Sequence, residues 1–158
     1  MFKYTLGFIK RKDEILLVNR EKKPWKGSWN GVGGKISENE TPLACIIREV
    51  FEETNIKIDQ NQVIDKGYLT WNLFDANGNG LHLYLILADD NFLYQTPVRT
   101  LEGILDWKKV DWIIDQDNYG VAHNIIHFLD LLIHDEKRYH YHCHFEGRNL
   151  VRFEKELI

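Results

Sequence analysis

A chain of 158 residues is long enough for one domain with a substantial core, and two cysteines, Cys45 and Cys143, are too few for a disulfide framework. A formal charge of −4 argues against a broad, sequence-independent grip on nucleic-acid backbone, although cations held by a carboxylate cluster would invert the local field and admit a polyphosphate. Residues 1–14 hold an apolar run too short and too soon broken by charge for a signal peptide or a membrane span, so the expectation is a soluble, cytoplasmic protein forming one domain over residues 1–158.

Residues 3–10 and 14–20 gather apolar β-formers on either side of Arg11-Lys12-Asp13, which predicts a hairpin closed by Arg20. A charged, turn-rich stretch over 21–28 leads into Trp29-Asn30-Gly31-Val32-Gly33-Gly34-Lys35. Small residues there let a ligand approach the backbone, and an ordinary turn would have the same composition. Thr41 as cap and Pro42 at the first position predict a helix whose packing face carries Leu43, Ile47, Val50, Phe51 and Thr54. On its other face Glu49, Glu52 and Glu53 crowd at offsets of three and four. Such like-charge pairs destabilise an isolated helix by roughly a few tenths of a kcal/mol each, partly offset here by Arg48, so the pattern reads as either a solvated acidic face or a place for a cation.

Residues 63–74 and 81–88 read as strands joined by a turn at 75–80, whose Asn77-Gly78-Asn79-Gly80 is a strong hairpin signal. Residues 97–103 read as loop and 105–112 as a short strand with its flank. The stretch 119–135 has helical spacing through Ala122, Ile125, Ile126, Leu129, Leu132 and Ile133. The tail, 137–156, alternates and turns at Glu146-Gly147-Arg148-Asn149, as a closing β-hairpin would. Strands interleaved with two helices predict an α/β fold.

Gly34, Glu40, Arg48, Glu49, Val50, Glu52, Glu53 and Ile56 fall without a gap on the box G-x5-E-x7-R-E-hydrophobic-x-E-E-x-G-hydrophobic, and in this the chain resembles the Nudix hydrolases. The departure is Asn55 in place of glycine; the position ends a helix in left-handed backbone, where Asn is the best substitute. The resemblance implies an α/β/α sandwich with a mixed sheet and metal-dependent hydrolysis of a phosphoanhydride. It implies that Glu49, Glu52 and Glu53 are the metal-binding and water-activating carboxylates, with the Gly33 carbonyl as a further ligand. Arg48 would orient Glu49, Glu40 would support the helix start, and Lys35 and Arg20 would meet phosphate. Glu102, a few residues before Trp107, is similar to the extra loop carboxylate of MutT-type members, which joins the metal or serves as base. Oxygen ligands of this kind suit Mg²⁺, with Mn²⁺ as a substitute.

The likeness extends to the oxidised-purine nucleoside triphosphatases through Tyr4-Thr5-Leu6, Arg20, the Trp29 to Lys35 stretch and the tail over 141–156. It implies a nucleoside triphosphate such as 8-oxo-dGTP as substrate, attack by water at the β-phosphorus, and release of the monophosphate and pyrophosphate. Trp29, Asn30, Trp71, Gln116 and Asp117 are then the candidate substrate-binding residues. The Asn30 amide can donate to and accept from a purine edge. Asp117 resembles one member of an acidic pair whose other member is here Gln116, and Trp71 is either a stacking platform or a core residue. Other substrates for the same chemistry are ADP-ribose, a dinucleoside polyphosphate or an RNA 5′ end, the last disfavoured by the lack of a long basic face. A nucleotide-sensing module without activity is disfavoured because every box carboxylate is kept. Neither a stable nucleic-acid partner nor a membrane is expected, and the oligomeric state stays open.

His140, His142 and His144 alternate and so share a strand face, as a zinc-like cluster would. No acid or cysteine joins the three at ligand spacing along the chain, which favours a polar, half-exposed face opposite a packed one of Tyr139, Tyr141, Cys143 and Phe145.

Overall fold

The computed structural model describes residues 2–23, 25–72 and 80–158. The predicted turn at 75–80 lies, up to Asn79, outside the described residues, as do Leu73 and Phe74 at the end of the strand before it. The elements in chain order are β1 (Tyr4–Arg11), β2 (Glu14–Arg20), β3 (Trp29–Asn30), α1 (Pro42–Thr54), β4 (Val63–Trp71), β5 (Gly80–Leu87), β6 (Val98–Arg99), β7 (Gly103–Lys109), α2 (Val110–Ile113), α3 (Ile125–His134), β8 (Tyr139–Glu146) and β9 (Asn149–Leu157). The strands form one sheet in the order β6-β7-β2-β1-β5-β4-β8-β9, with β3 on β2. It is mixed: β1 runs parallel to β5 and β4 parallel to β8, while the other pairs are antiparallel.

Period-2 alternation divides the sheet into two buried faces. Ile9, Leu16, Val18, Ile86 and Leu105 pack with Ile46 and Val50 of α1. Phe8, Ile15, Leu17, Leu69, Leu83 and Leu85 pack with Ile125, Phe128, Leu129 and Leu132 of α3 and with Tyr141, Cys143 and Phe145 of β8. Helices on both sides make the α/β/α sandwich, and β8 with β9 makes the C-terminal hairpin. Both cysteines are free and buried. Among the described residues no helix is long and apolar enough to cross a membrane.

Thr41 caps α1 by accepting the Ala44 N–H at 3.1 Å, and Asn55 ends it with φ 65°, as their positions in sequence suggest. Of the predicted packing face Leu43, Ile47, Val50 and Thr54 do face the core, Cys45 and Ile46 join them, and Phe51 departs. Cys45, Ile46, Val50 and Thr54 are buried, whereas Phe51 is 42% exposed beside the Lys57 ammonium. The helix is rotated so that Glu49 and Glu53 lie at the edge of the buried stripe, and this turns Phe51 outward on the far flank.

The predicted helix over 119–135 begins only at Ile125. Its first residues spend their backbone on β3 instead: Trp29 N–H donates to Gly120 O at 2.8 Å and Ala122 N–H to Trp29 O at 3.0 Å. The segment read as loop over 97–103 contributes β6, and the strand expected over 105–112 spans Gly103–Lys109, with Trp112 passing to α2.

Candidate active site

The glycine stretch after β3 runs alongside the first half of β1, with Thr5 N–H donating to Gly34 O at 2.9 Å and Gly7 N–H to Val32 O at 2.6 Å. Approach is so close that a Cβ on Gly33 would stand 2.1 Å from Thr5 O, and one on Gly34 would stand 2.4 Å from the Glu49 carboxyl. Neither position can carry a side chain without moving a neighbour. The loop thereby lays its backbone against the acidic edge of α1.

Arg48 organises that edge. Its Nε and Nη2 donate to the two oxygens of Glu40 at 2.8 and 2.9 Å, a two-pronged pairing that a guanidinium makes and an ammonium cannot. Its Nη1 donates to Glu49 Oε1 at 2.8 Å and to Glu52 Oε2 at 3.1 Å, and its Nη2 also reaches Lys35 O at 3.1 Å. The Arg48 hydrogen bonds hold the Glu40 carboxyl down to about 2. Glu40 thus supports the site through Arg48.

Glu102 comes from the turn between β6 and β7. Its N–H donates to Thr100 Oγ1 at 3.2 Å and its carbonyl accepts the Glu21 N–H at 3.0 Å. Gly103 beside it has φ +143° and lies where a Cβ would be 1.8 Å from Asn19 O, so only glycine lets the turn sit on β2. Lys22 lies 3.6 Å from the Glu102 carboxylate. The turn sets Glu102 within electrostatic reach of Glu49 and Glu53.

Burial first, and then the charges of Glu49 and Glu102, push the Glu53 carboxyl up to about 8; the Gly33 N–H and Arg20 act in the opposite direction. Burial also raises Glu49, with Arg48 pulling it back. A carboxyl that holds its proton because it is desolvated, and then because like charges flank it, marks a place short of positive charge, and hard oxygen donors there suit Mg²⁺. Among the described residues no three His, Cys, Asp or Glu side chains are already gathered around one point, and Arg48 occupies one oxygen each of Glu49 and Glu52. The donor set fits the ion, which would complete its own coordination.

Of the other expected site residues, Arg20 ends β2 on the Glu53 side and Lys35 follows the glycine loop with its side chain exposed. Trp29 and Asn30 are half-buried. The Asn30 carbonyl oxygen already accepts the Gly31 N–H at 2.8 Å, which leaves its amide chiefly a donor. Gln116 and Asp117 are exposed on the turn after α2, in the segment that leads to Gly120, whose carbonyl accepts the Trp29 N–H. Trp71 packs against the α3-side core, yet its buried Nε1 has no hydrogen-bond partner among the described residues.

Sequence reasoning missed two neighbours. The Lys108 ammonium lies 4.4 Å over the Trp29 ring and 5.4 Å over that of Trp112, and 3.3 Å from Asp106 Oδ2. Alternation along β7 puts Asp106 and Lys108 on one face, a signal present in the sequence; the meeting of Lys108 with Trp29 depends on how β3 docks.

A mixed sheet between helices, carrying a carboxylate-rich helix edge against a glycine loop, defines a class of phosphoanhydride hydrolase. The NUDIX domain family profile matches residues 4–113. The mouse oxidized purine nucleoside triphosphate hydrolase is 27% identical over 110 residues, 70% of this chain and 67% of that protein. A Nudix hydrolase of Bacillus subtilis, YvcI, is 31% identical over 123 residues, 77% of this chain and 72% of that protein. Among solved structures, a MutT protein from Bacillus halodurans superposes with a TM-score of 0.76 at 22% identity, covering 99% of this chain and 98% of that one. The chain belongs to the Nudix family, and it is a hydrolase of phosphoanhydride bonds.

Proposed function

We propose that the protein is a Mg²⁺-dependent nucleoside triphosphate pyrophosphohydrolase acting on oxidised purine nucleotides such as 8-oxo-dGTP, which would serve to cleanse the nucleotide pool. The observation that carries this reading is the likeness to the mouse oxidized purine nucleoside triphosphate hydrolase over 110 residues, in a chain whose glycine loop lies directly between Asn30 and the carboxylates.

In this reading Glu49, Glu52, Glu53 and Glu102, with the Gly33 carbonyl, hold Mg²⁺. The bound ion would neutralise phosphate charge and help align water with the breaking bond. Arg48 positions Glu49, and Glu40 fixes Arg48. Arg20 and Lys35 take phosphate oxygens. Trp29 and Asn30 meet the base, the Asn30 amide donating to an oxo group, and Asp117 and Gln116 reach it from the α2 turn. Trp71 offers its unpartnered N–H on the same face of the sheet.

The test is to measure kcat/KM with Mg²⁺ for 8-oxo-dGTP, dGTP, dATP, ADP-ribose and diadenosine polyphosphates, and to identify the products. The expected result is a preference for 8-oxo-dGTP with pyrophosphate released. A preference for ADP-ribose or a dinucleotide would keep the hydrolase and overturn the base assignments.

A further inference from the structure

The histidines that the carboxylate site leaves unused gain, in the fold, the acid that they lack along the chain. β8 and β9 pair so that Glu154 stands opposite His142 and Arg152 opposite His144. His144 Nε2 and Glu154 Oε2 are 3.1 Å apart, and the His142 and His144 ring centroids are 4.4 Å apart. The His144–Glu154 contact is a direct hydrogen bond, and because two ligands of a tetrahedral zinc ion stand roughly 3.3 Å from one another, given bonds of about 2.0–2.1 Å, an ion could replace it with little movement of either side chain.

Thr70 on β4 sets the ring of His142. Its hydroxyl is 2.6 Å from His142 Nδ1 and 2.7 Å from His140 Nε2. Its one proton goes to one of the rings or to Tyr141 O at 3.4 Å, and any ring it does not donate to donates an N–H to it. When it donates to His140 or to Tyr141 O, His142 Nδ1–H donates to Thr70 and His142 Nε2 keeps its lone pair for a ligand. A neighbour that fixes the tautomer in this way is the usual support of a metal-bound imidazole.

We propose that His142, His144 and Glu154 form a binding site for a divalent transition metal ion of the zinc class, three strands away from β1 in the sheet and separate from the Mg²⁺ carboxylates. The three donors are not gathered about one point without the ion. Arg152 stands in the way, with Nη2 3.1 Å from His144 Nε2 and Nε 3.3 Å from Glu154 Oε1. The guanidinium must turn aside when the ion enters, so removing Arg152 is expected to strengthen binding.

The experiment strips the full chain with a chelator and measures Zn²⁺ binding by equilibrium dialysis in excess Mg²⁺, in the wild type and in Glu53→Gln, which weakens the carboxylate site. Both are expected to retain about one equivalent of Zn²⁺. Affinity should fall by about tenfold or more in His144→Asn and in Glu154→Gln, and fall also in Thr70→Val. It should rise in Arg152→Ala, while Mg²⁺-dependent turnover in His144→Asn stays at the wild-type level. Circular dichroism shows that each variant is folded. Zn²⁺ uptake that is absent in Glu53→Gln, or unchanged by His144→Asn and Glu154→Gln, would overturn the site and leave the hydrolase reading untouched.

Discussion

Glu53 holds its proton near pH 8 in the fold, against 4.5 for a free side chain, because it is half-buried beside Glu49 and Glu102. Between those two values the folded chain binds more protons than the unfolded one, so the stability that this group contributes is complete below about 4.5 and lost as the pH rises through 8. Metal-free protein should therefore weaken by on the order of a few kcal/mol across that window, read as falling urea midpoints. Glu53→Gln flattens this slope and, like Glu52→Gln, abolishes metal-dependent turnover with the fold retained. Midpoints that fall equally in wild type and Glu53→Gln would disprove the assignment of the slope to this residue. Glu40 has the opposite sign: held near 2 by Arg48, its contribution is present above 4.5 and lost as the pH falls toward 2. At this scale the identities of Glu49, Glu52, Glu53 and Arg48 were legible as a spacing on one helix. The proton on Glu53 was not, since it arises from burial and from Glu102, which is distant in sequence. The placing of Lys108 over the rings of Trp29 and Trp112 escaped notice for the same reason, because it is tertiary.

The glycine loop and α1 act as a pair of elements, and the two adjacent glycines do different work. A methyl group on Gly34 meets the Glu49 carboxyl, the end of a side chain, whereas one on Gly33 meets the Thr5 backbone. Gly34→Ala is expected to displace Glu49 and lower kcat/KM by about tenfold or more, with little change in melting temperature. Gly33→Ala should cost about 2 kcal/mol or more in unfolding free energy, because β1 itself must shift. The pair of measurements separates a role in catalysis from one in folding. Hairpins and caps were readable from sequence here, since Lys12-Asp13, Thr41 and Asn55 act on their immediate neighbours. The rotation of α1 that exposes Phe51, and the late start of α3, were not. Both are set by partners across the sheet: the loop that takes Glu49 and Glu53 to its side, and β3, which claims the backbone of Gly120 and Ala122.

At the scale of the molecule, the segment that matches the family profile stops at residue 113, while the core does not. Val121, Ala122, Ile125, Phe128, Leu129, Leu132, Tyr141, Cys143 and Phe145 all belong to the cluster that covers one face of the sheet. Residues 1–113 expressed alone would leave Phe8, Leu17, Leu69 and Leu83 facing water. The expected outcome is a fragment without a cooperative thermal transition; a sharp transition like that of the full chain would show that the second half is an accessory. The α/β class was visible in the alternation of patterns along the chain and the α/β/α layering only in the resemblance carried by the box over 34–56, while the parallel pairings of β1 with β5 and β4 with β8 could not be read from local signals. The hydrogen bonds from Thr5 and Gly7 to Gly34 and Val32 carry one more implication. They tie the floor of the site into the backbone network of the central strand β1, so the Thr5 and Gly7 amides are expected to be among the slowest to exchange with solvent, which hydrogen exchange would read directly.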